Sequence, residues 1–137
     1  METDNIILPY EQHVAQLREL FPQGSVLSMY PQLLWQCHFQ PTPLSINYTI
    51  RLEYKLNTDP KIFVTKKKLS RGGSDKLPHV YSDKNQWICL HHPPEEKWKS
   101  SQNIANTIIP WAIEWLYHYE IWQLTGRWNG GGTIHQD

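Results

Sequence analysis

The sequence predicts an α+β fold, in which an antiparallel sheet packs against helices. Three patterns support this prediction: a short amphipathic helix, a group of alternating apolar and polar segments, and a long aromatic-rich helix. Strands that follow one another along the chain, rather than alternating with helices, are typical of this class. A chain of 137 residues is expected to form one domain, residues 1–137.

The first helix is expected to begin at Tyr10 and to end before Pro22. Its apolar residues recur every three or four positions, which places them on one helical face. They are Tyr10, Val14, Leu17 and Phe21. Pro22 and Gly24 then stop the helix.

Three strands are expected next, joined by short turns as an antiparallel meander. Residues 33–40 and 45–54 alternate clearly, and residues 61–69 form the third segment. The faces predicted to point into the core hold Trp35, Cys37 and Phe39 in the first strand, and Ile46, Tyr48, Ile50, Leu52 and Tyr54 in the second. A second turn follows at Gly72 and Gly73.

A long helix is predicted in the last third of the chain. Its apolar stripe comprises Ile104, Ile108, Trp111, Trp115, Tyr119 and Trp122. Ser100 and Ser101 are candidate caps, and Pro110 predicts a kink or a restart near Ile109. Gly126 is expected to end the helix in a left-handed conformation, before a glycine-rich arm over residues 127–137.

Composition argues against several classes of function. The 13 basic and 13 acidic residues give no net charge, which argues against binding to nucleic acid or to an anionic membrane surface. No apolar run has the length of a signal peptide or a membrane helix, so a cytoplasmic protein is expected. The two cysteines should then stay reduced. No glycine-rich phosphate loop or cofactor motif is present, and no cofactor is expected.

Cys89 lies in the segment over residues 77–98, LPHVYSDKNQWICLHHPPEEKW. This segment resembles the active-site segment of ubiquitin-conjugating enzymes, where a His-Pro-Asn-Ile-Tyr-type sequence precedes Ile-Cys-Leu and a downstream Trp. The matching residues are Pro78, Val80, Tyr81, Ile88, Cys89, Leu90 and Trp98. Leu77 and His79 replace the His and Asn of that family. The resemblance implies a ubiquitin-conjugating (UBC-like) fold with Cys89 as its catalytic thiol.

Residues 104–135 are similar to the bacterial ubiquitin-conjugating-like proteins of CBASS antiphage operons. The matches are Pro110-Trp111-Ala112, Glu114-Trp115-Leu116, Tyr119-Glu120, Trp122, Thr125-Gly126, Trp128 and Gly130-Gly131-Gly132. This resemblance implies a stand-alone conjugating-type enzyme that forms a thioester with the carboxyl terminus of a partner. In the family, that partner is believed to be the operon's cGAS/DncV-like nucleotidyltransferase, whose activity the protein would regulate in antiphage defence.

The chemistry of a thiol suits such an acyl carrier, because a thiolate is a strong nucleophile and a good leaving group. Cys37 is expected to be buried and inert beside two aromatic residues. Trp128 and the glycines from Gly130 to Gly132 fall outside any core period, so they are candidates for docking the partner or shielding the site. What activates the carboxyl terminus is left open by the sequence.

Several alternatives stay open. His79 is either a hydrogen-bond donor to an oxyanion, a general base, or a surface histidine without a role. Cys89 is either the nucleophile or a structural cysteine, in which case the chain is a non-catalytic UBC-like binding module. A cysteine hydrolase would need a Cys and His pair with an orienting carboxylate or amide, and His79 is the candidate histidine. A zinc site is not expected, because Cys89, His91 and His92 supply too few ligands in suitable geometry.

Overall fold

The computed structural model describes residues 6–90 and 98–128. Among these residues it contains helix α1 (Tyr10–Leu20), six strands, a short 3-10 turn (Ile104–Asn106) and helix α2 (Ile108–Thr125). The strands are β1 (Ser25–Val26), β2 (Gln32–Phe39), β3 (Tyr48–Lys55), β4 (Lys61–Thr65), β5 (Val80–Ser82) and β6 (Trp87–Ile88). The protein therefore has the α+β architecture that the sequence predicts.

The strands form one sheet in the order β1-β2-β3-β4-β6-β5, and every pairing is antiparallel. The predicted meander is confirmed as its centre, β2-β3-β4, where Trp35 pairs with Leu52 and Ile50 pairs with Val64. The two edges are much shorter. β1 has two residues, and β5 has three with a register shift between Val80 and Ser82.

The inner face of the sheet forms half of the core. Alternate side chains of the three central strands are buried there: Leu33, Trp35, Cys37, Phe39, Tyr48, Ile50, Leu52, Tyr54, Ile62 and Val64. The expected burial of Ile46 is wrong, since this side chain is 48% exposed. The chain still turns there, because the N–H of Ser45 donates to the carbonyl of Thr42 at 3.0 Å, and β3 begins only at Tyr48.

Helix α1 contributes Val14 and Leu17 to the same core and ends at Leu20, as expected. The N–H of Phe21 closes the last turn on the carbonyl of Leu17 at 2.9 Å. The Phe21 ring then packs edge-on against Phe39, with 5.5 Å between ring centroids. The predicted apolar face of this helix is thus the face that packs on the sheet.

Helix α2 forms the other large part of the core. The predicted restart near Ile109 is confirmed, since α2 begins at Ile108. Pro110 therefore falls in the first turn, where the backbone N–H that proline lacks has no partner within the helix. The proposed serine caps are wrong: the side chain of Asn103 accepts from the N–H of Ala105 and caps the 3-10 turn. Gly126 ends α2 with a φ of 76°, as predicted. Among the described residues, no helix has the length and apolar character needed to cross a membrane.

His13 is buried at the junction of α1 and the 3-10 turn, with no exposed surface. Its Nδ1 accepts from the N–H of Ile104 at 3.4 Å, and its ring packs edge-on against Tyr54 at 5.3 Å. Burial disfavours the charged imidazolium and lowers the pKa of His13 from 6.5 to about 4. This histidine therefore stays neutral in the folded protein at neutral pH.

Replacing Trp115 with alanine is expected to lower the free energy of unfolding by about 3–5 kcal/mol. The side chain is 4% exposed and stacks on Tyr119 at 5.7 Å, so its removal leaves a cavity under the sheet. Urea unfolding followed by circular dichroism measures the change. Trp115→Phe keeps most of the volume but loses the indole N–H that donates to the His79 carbonyl, so it should cost less than alanine without matching the wild type. An unchanged midpoint in Trp115→Ala would contradict this account of the core.

Stability is expected to fall as the pH drops from about 6.5 to about 4, because the unfolded chain binds a proton at His13 that the folded protein excludes. A lowering from 6.5 to about 4 corresponds to a loss of roughly 3 kcal/mol across that window. Urea unfolding at a series of pH values measures it.

His13→Phe should lose stability at pH 7.5, since Ile104 loses its acceptor, but should have a flatter pH dependence than the wild type. His38, which is exposed on β2, supplies the control variant His38→Ala. Equal slopes in His13→Phe and the wild type would show that another group causes the acid sensitivity.

Candidate active site

The candidate site is organised by one backbone oxygen, the carbonyl of His79. It accepts a hydrogen bond from the N–H of Cys89 at 3.0 Å. This bond lies next to the pair formed by Val80 of β5 and Ile88 of β6. The same oxygen also accepts from Nε1 of Trp115 on α2, at 3.0 Å. The segment that carries the thiol is therefore fixed both to the sheet edge and to the helix.

His79 itself is buried, with 8% of its surface exposed, so the alternative of a surface histidine is wrong. Its φ of 49° lies in the left-handed region, which costs a non-glycine residue roughly 1–3 kcal/mol. The imidazole stacks on the indole of Trp128, with 4.7 Å between centroids and 25° between planes. Both the backbone and the ring of His79 thus belong to the framework around Cys89.

Cys89 lies in a cleft between the end of β6 and residues 111–118 of α2. The cleft has a volume of about 20 Å³, which is room for about one water molecule. Its lining residues are Cys89, Leu90, Trp111, Glu114, Trp115, His118 and Trp128. Cys89 is only 4% exposed, although the sequence favours a sulfur that a thiol reagent can reach.

Glu114 and His118 bring an acid and a base into this cleft from one face of α2. Nε2 of His118 lies 3.5 Å from a carboxylate oxygen of Glu114, one helical turn away. The other ring nitrogen, Nδ1, is buried and has no hydrogen-bond partner among residues 6–90 and 98–128. His118 was not predicted from the sequence as a site residue. The i, i+4 spacing of a carboxylate and an imidazole was the signal for it.

Trp128 forms a wall of the cleft. Besides His79, its indole packs against Trp115 at 5.2 Å and against His118 at 6.1 Å, measured between ring centroids. This residue belongs to the predicted glycine-rich arm, and the structure places it on the core. Gly130, Gly131 and Gly132 lie outside the described residues, as do His91 and His92.

Tyr81 approaches the thiol from the sheet side. Burial, followed by the hydrogen bond to Cys89 and the charge of that group, raises the pKa of the Tyr81 phenol. Tyr81 also lines a second cleft of about 280 Å³, whose other lining residues are Asp59, Pro60, Lys61, Ile62, Trp87, Ile88, Leu90 and Ile108. Leu90 lines both clefts, so the larger one opens beside the thiol segment.

Cys37 has different surroundings. It lies in the core cluster on β2 with 2% exposure, and its thiol donates weakly to the carbonyl of His38 at 3.6 Å. Burial raises the pKa of Cys37 to about 11. Because Cys37 and Cys89 are similarly buried, exposure does not separate them; the polar groups beside Cys89 do.

In the part of the chain that the structure describes, no three His, Cys, Asp or Glu side chains are grouped so that they could hold a metal ion. The cleft instead combines a thiol, an imidazole, a carboxylate and a phenol. These groups can exchange protons and hydrogen-bond a reacting carbonyl, so the arrangement suits nucleophilic chemistry at sulfur.

Comparison with known proteins gives the family. A search of the curated proteins finds no match. The model of the family described as "Type II CBASS E2 protein" matches residues 13–136, a span that includes the Cys89 segment and all of α2. The resemblance to the ubiquitin-conjugating-like proteins of CBASS operons is therefore confirmed, and the chain belongs to the type II CBASS E2 protein family.

Proposed function

We propose that this protein is a ubiquitin-conjugating-like transferase of antiphage defence, in which Cys89 carries an acyl group as a thioester. The observation that carries the proposal is the position of Cys89 in a cleft that also contains His118 and Glu114. Membership of the type II CBASS E2 family supports it, since an E2 protein is a conjugating-type protein. The chain would act as a single domain with a UBC-like fold, in the cytoplasm and without a cofactor.

The acyl group is proposed to be the carboxyl terminus of a protein partner from the same operon. The resemblance to CBASS proteins supports the cGAS/DncV-like nucleotidyltransferase as that partner, with the modification regulating its activity. The larger cleft beside Tyr81 and Leu90 is the route that the partner's terminal residues would take to the thiol. Partner docking by Trp128 and by Gly130 to Gly132 stays a prediction.

The proposed reaction begins from an activated carboxyl terminus, held as a thioester on another protein. The Cys89 thiol loses its proton, and its sulfur attacks the carbonyl carbon. The bond between the carbonyl carbon and the donor protein's sulfur breaks, and that sulfur takes up a proton and leaves as a thiol. The product is a thioester on Cys89, which an amine then attacks to form an amide and to regenerate the thiol.

A cysteine hydrolase is the second candidate, and a specific observation favours it. Such enzymes need a thiol, a histidine and an orienting carboxylate, and Cys89, His118 and Glu114 line one cleft. The two functions differ in the acceptor, because a hydrolase passes the acyl group to water. An adduct that accumulates on Cys89 therefore favours the transferase.

Co-expression of the protein with the operon's nucleotidyltransferase is expected to give an adduct on Cys89 that reductant removes. Intact-protein mass spectrometry with and without reductant measures it. Cys89→Ala should abolish the adduct. Cys37→Ala is the matched control and should keep it, because burial raises the pKa of Cys37 to about 11 and so disfavours its thiolate. Cys89→Ser should give, if anything, an oxyester that survives reductant and is cleaved by mild base.

Two outcomes would decide against this assignment. An adduct that persists in Cys89→Ala and disappears in Cys37→Ala would move the nucleophile to β2. A stable complex without any adduct, obtained with the complete operon, would favour the non-catalytic binding module.

His79→Ala is expected to slow turnover by about 10²-fold if the imidazole donates a hydrogen bond to the oxyanion. His79→Asn restores the amide of the ubiquitin-conjugating enzymes, so it should retain activity if donation is the role and lose it if proton abstraction is the role. Thioester formation and discharge, followed by time-resolved mass spectrometry, measure both. Affinity for the partner, measured by calorimetry, should stay nearly constant. Normal turnover in His79→Ala would leave this histidine a structural role only.

A further inference from the structure

We propose that His118 is the general base of the Cys89 site and that Glu114 is the residue that positions it. The inference deepens the proposed function, on which it rests, by assigning a proton acceptor that the resemblance to ubiquitin-conjugating enzymes does not supply. From the sequence, His79 was the candidate histidine, with the roles of oxyanion donor and general base both left open. The geometry points instead to a residue on α2.

The thiol and the imidazole belong to the lining of one cleft. Cys89 and His118 line the same volume of about 20 Å³, which holds about one water molecule. In this proposal, a proton passes from sulfur to imidazole directly or through one water, the range in which a general base works. His118 is held in place from several sides, since its ring packs against Trp128 at 6.1 Å and against Tyr117 at 5.4 Å.

The two nitrogens of His118 have different surroundings, and these define its tautomer. The Glu114 carboxylate, 3.5 Å from Nε2, favours a proton on that nitrogen. Nδ1 then presents a lone pair, and it is the buried nitrogen that lacks a partner among the described residues. A neutral histidine with Nε2 protonated and Nδ1 free to accept is the form a general base requires.

The charged and titratable groups around His118 favour the same role. Cys89 and Glu114 share its cleft, and no Lys or Arg side chain of the described residues lines it. His79 lies behind the Trp128 indole, and Tyr81 contacts the thiol from the sheet side. Glu114 is therefore the carboxylate that stabilises the imidazolium formed when His118 takes a proton.

In the proposed reaction, His118 moves one proton in each half. During loading, the S–H bond of Cys89 breaks and its proton passes to Nδ1, leaving a thiolate that attacks the incoming thioester. The departing sulfur of the donor then receives that proton and leaves as a thiol. During discharge, Nδ1 takes a proton from the attacking amine and returns it to the Cys89 sulfur as the amide forms.

The test uses the isolated full-length protein and iodoacetamide, which alkylates the thiolate and needs no partner. The rate of carbamidomethylation of Cys89, located by peptide mass spectrometry, is measured across pH 5 to 9. We expect His118→Ala to react on the order of tenfold more slowly at neutral pH, because the thiol loses its proton acceptor. The dependence of the rate on pH should also differ between His118→Ala and the wild type, and added imidazole should restore part of the rate.

Three further variants sharpen the result. His118→Asn places an amide where Nδ1 lies, so it keeps a hydrogen bond but cannot take a proton, and it should be as slow as His118→Ala. Glu114→Gln should slow alkylation less than His118→Ala does, because the imidazole keeps its nitrogen but loses the carboxylate 3.5 Å away that positions it. His38→Ala, at an exposed position on β2, should match the wild type.

The inference would be overturned if His118→Ala alkylated Cys89 at the wild-type rate across the pH series. A wild-type alkylation rate in His118→Asn would overturn it too. Circular dichroism and urea unfolding establish that each variant is folded. The proposed function fails separately, through the absence of a Cys89 adduct in the co-expression experiment. A normal adduct together with a His118→Ala protein that alkylates at the wild-type rate would refute this inference alone.

Discussion

The structure around the candidate site depends on the carbonyl oxygen of His79. Two donors from different parts of the chain meet there, the backbone N–H of Cys89 and the indole of Trp115. Without them the strained backbone at His79 would have no compensation, since a left-handed non-glycine residue persists only when its surroundings hold it. The position of the thiol relative to α2 therefore follows from this one acceptor.

The rest of the core supplies the rigidity that such an arrangement needs. β2, β3 and β4 bury every second side chain against the helices, and Trp115 and Tyr119 stack in parallel on the inner side of α2. The outer side of α2 presents Glu114 and His118 to the cleft. Helix α2 thus both packs the core, through aromatic side chains, and lines the cleft, through an acid and a histidine.

Much of the fold could be predicted from the sequence because it rests on periodic patterns. The helix from Tyr10, the burial along β2 and β3, and the stop at Gly126 all follow from residue spacing. The strands β1, β5 and β6 could not, since two or three residues carry no period. The cap at Asn103 was also missed, because serine and asparagine are both common capping residues and the sequence does not choose between them.

The candidate site, too, could be predicted from the sequence only in part. Cys89 could be identified because its segment matches the motif of a known family, whereas His118 lies beside the aromatic stripe of the predicted helix and belongs to no motif. Its proximity to Cys89 arises from tertiary packing across 29 positions of sequence, which no local pattern encodes. The stacking of His79 on Trp128 is likewise a contact between distant parts of the chain.

The brevity of the outermost strands limits how other chains can attach to this protein. β1 and β5 offer only two and three residues at the margins of the sheet, and β5 is interrupted by its register shift. Extended peptides often bind by joining a sheet as an extra strand, which needs a longer run of unpaired backbone groups. A visiting polypeptide tail would have to be recognised through its side chains and its end. Sheet-to-sheet self-association is disfavoured for the same reason.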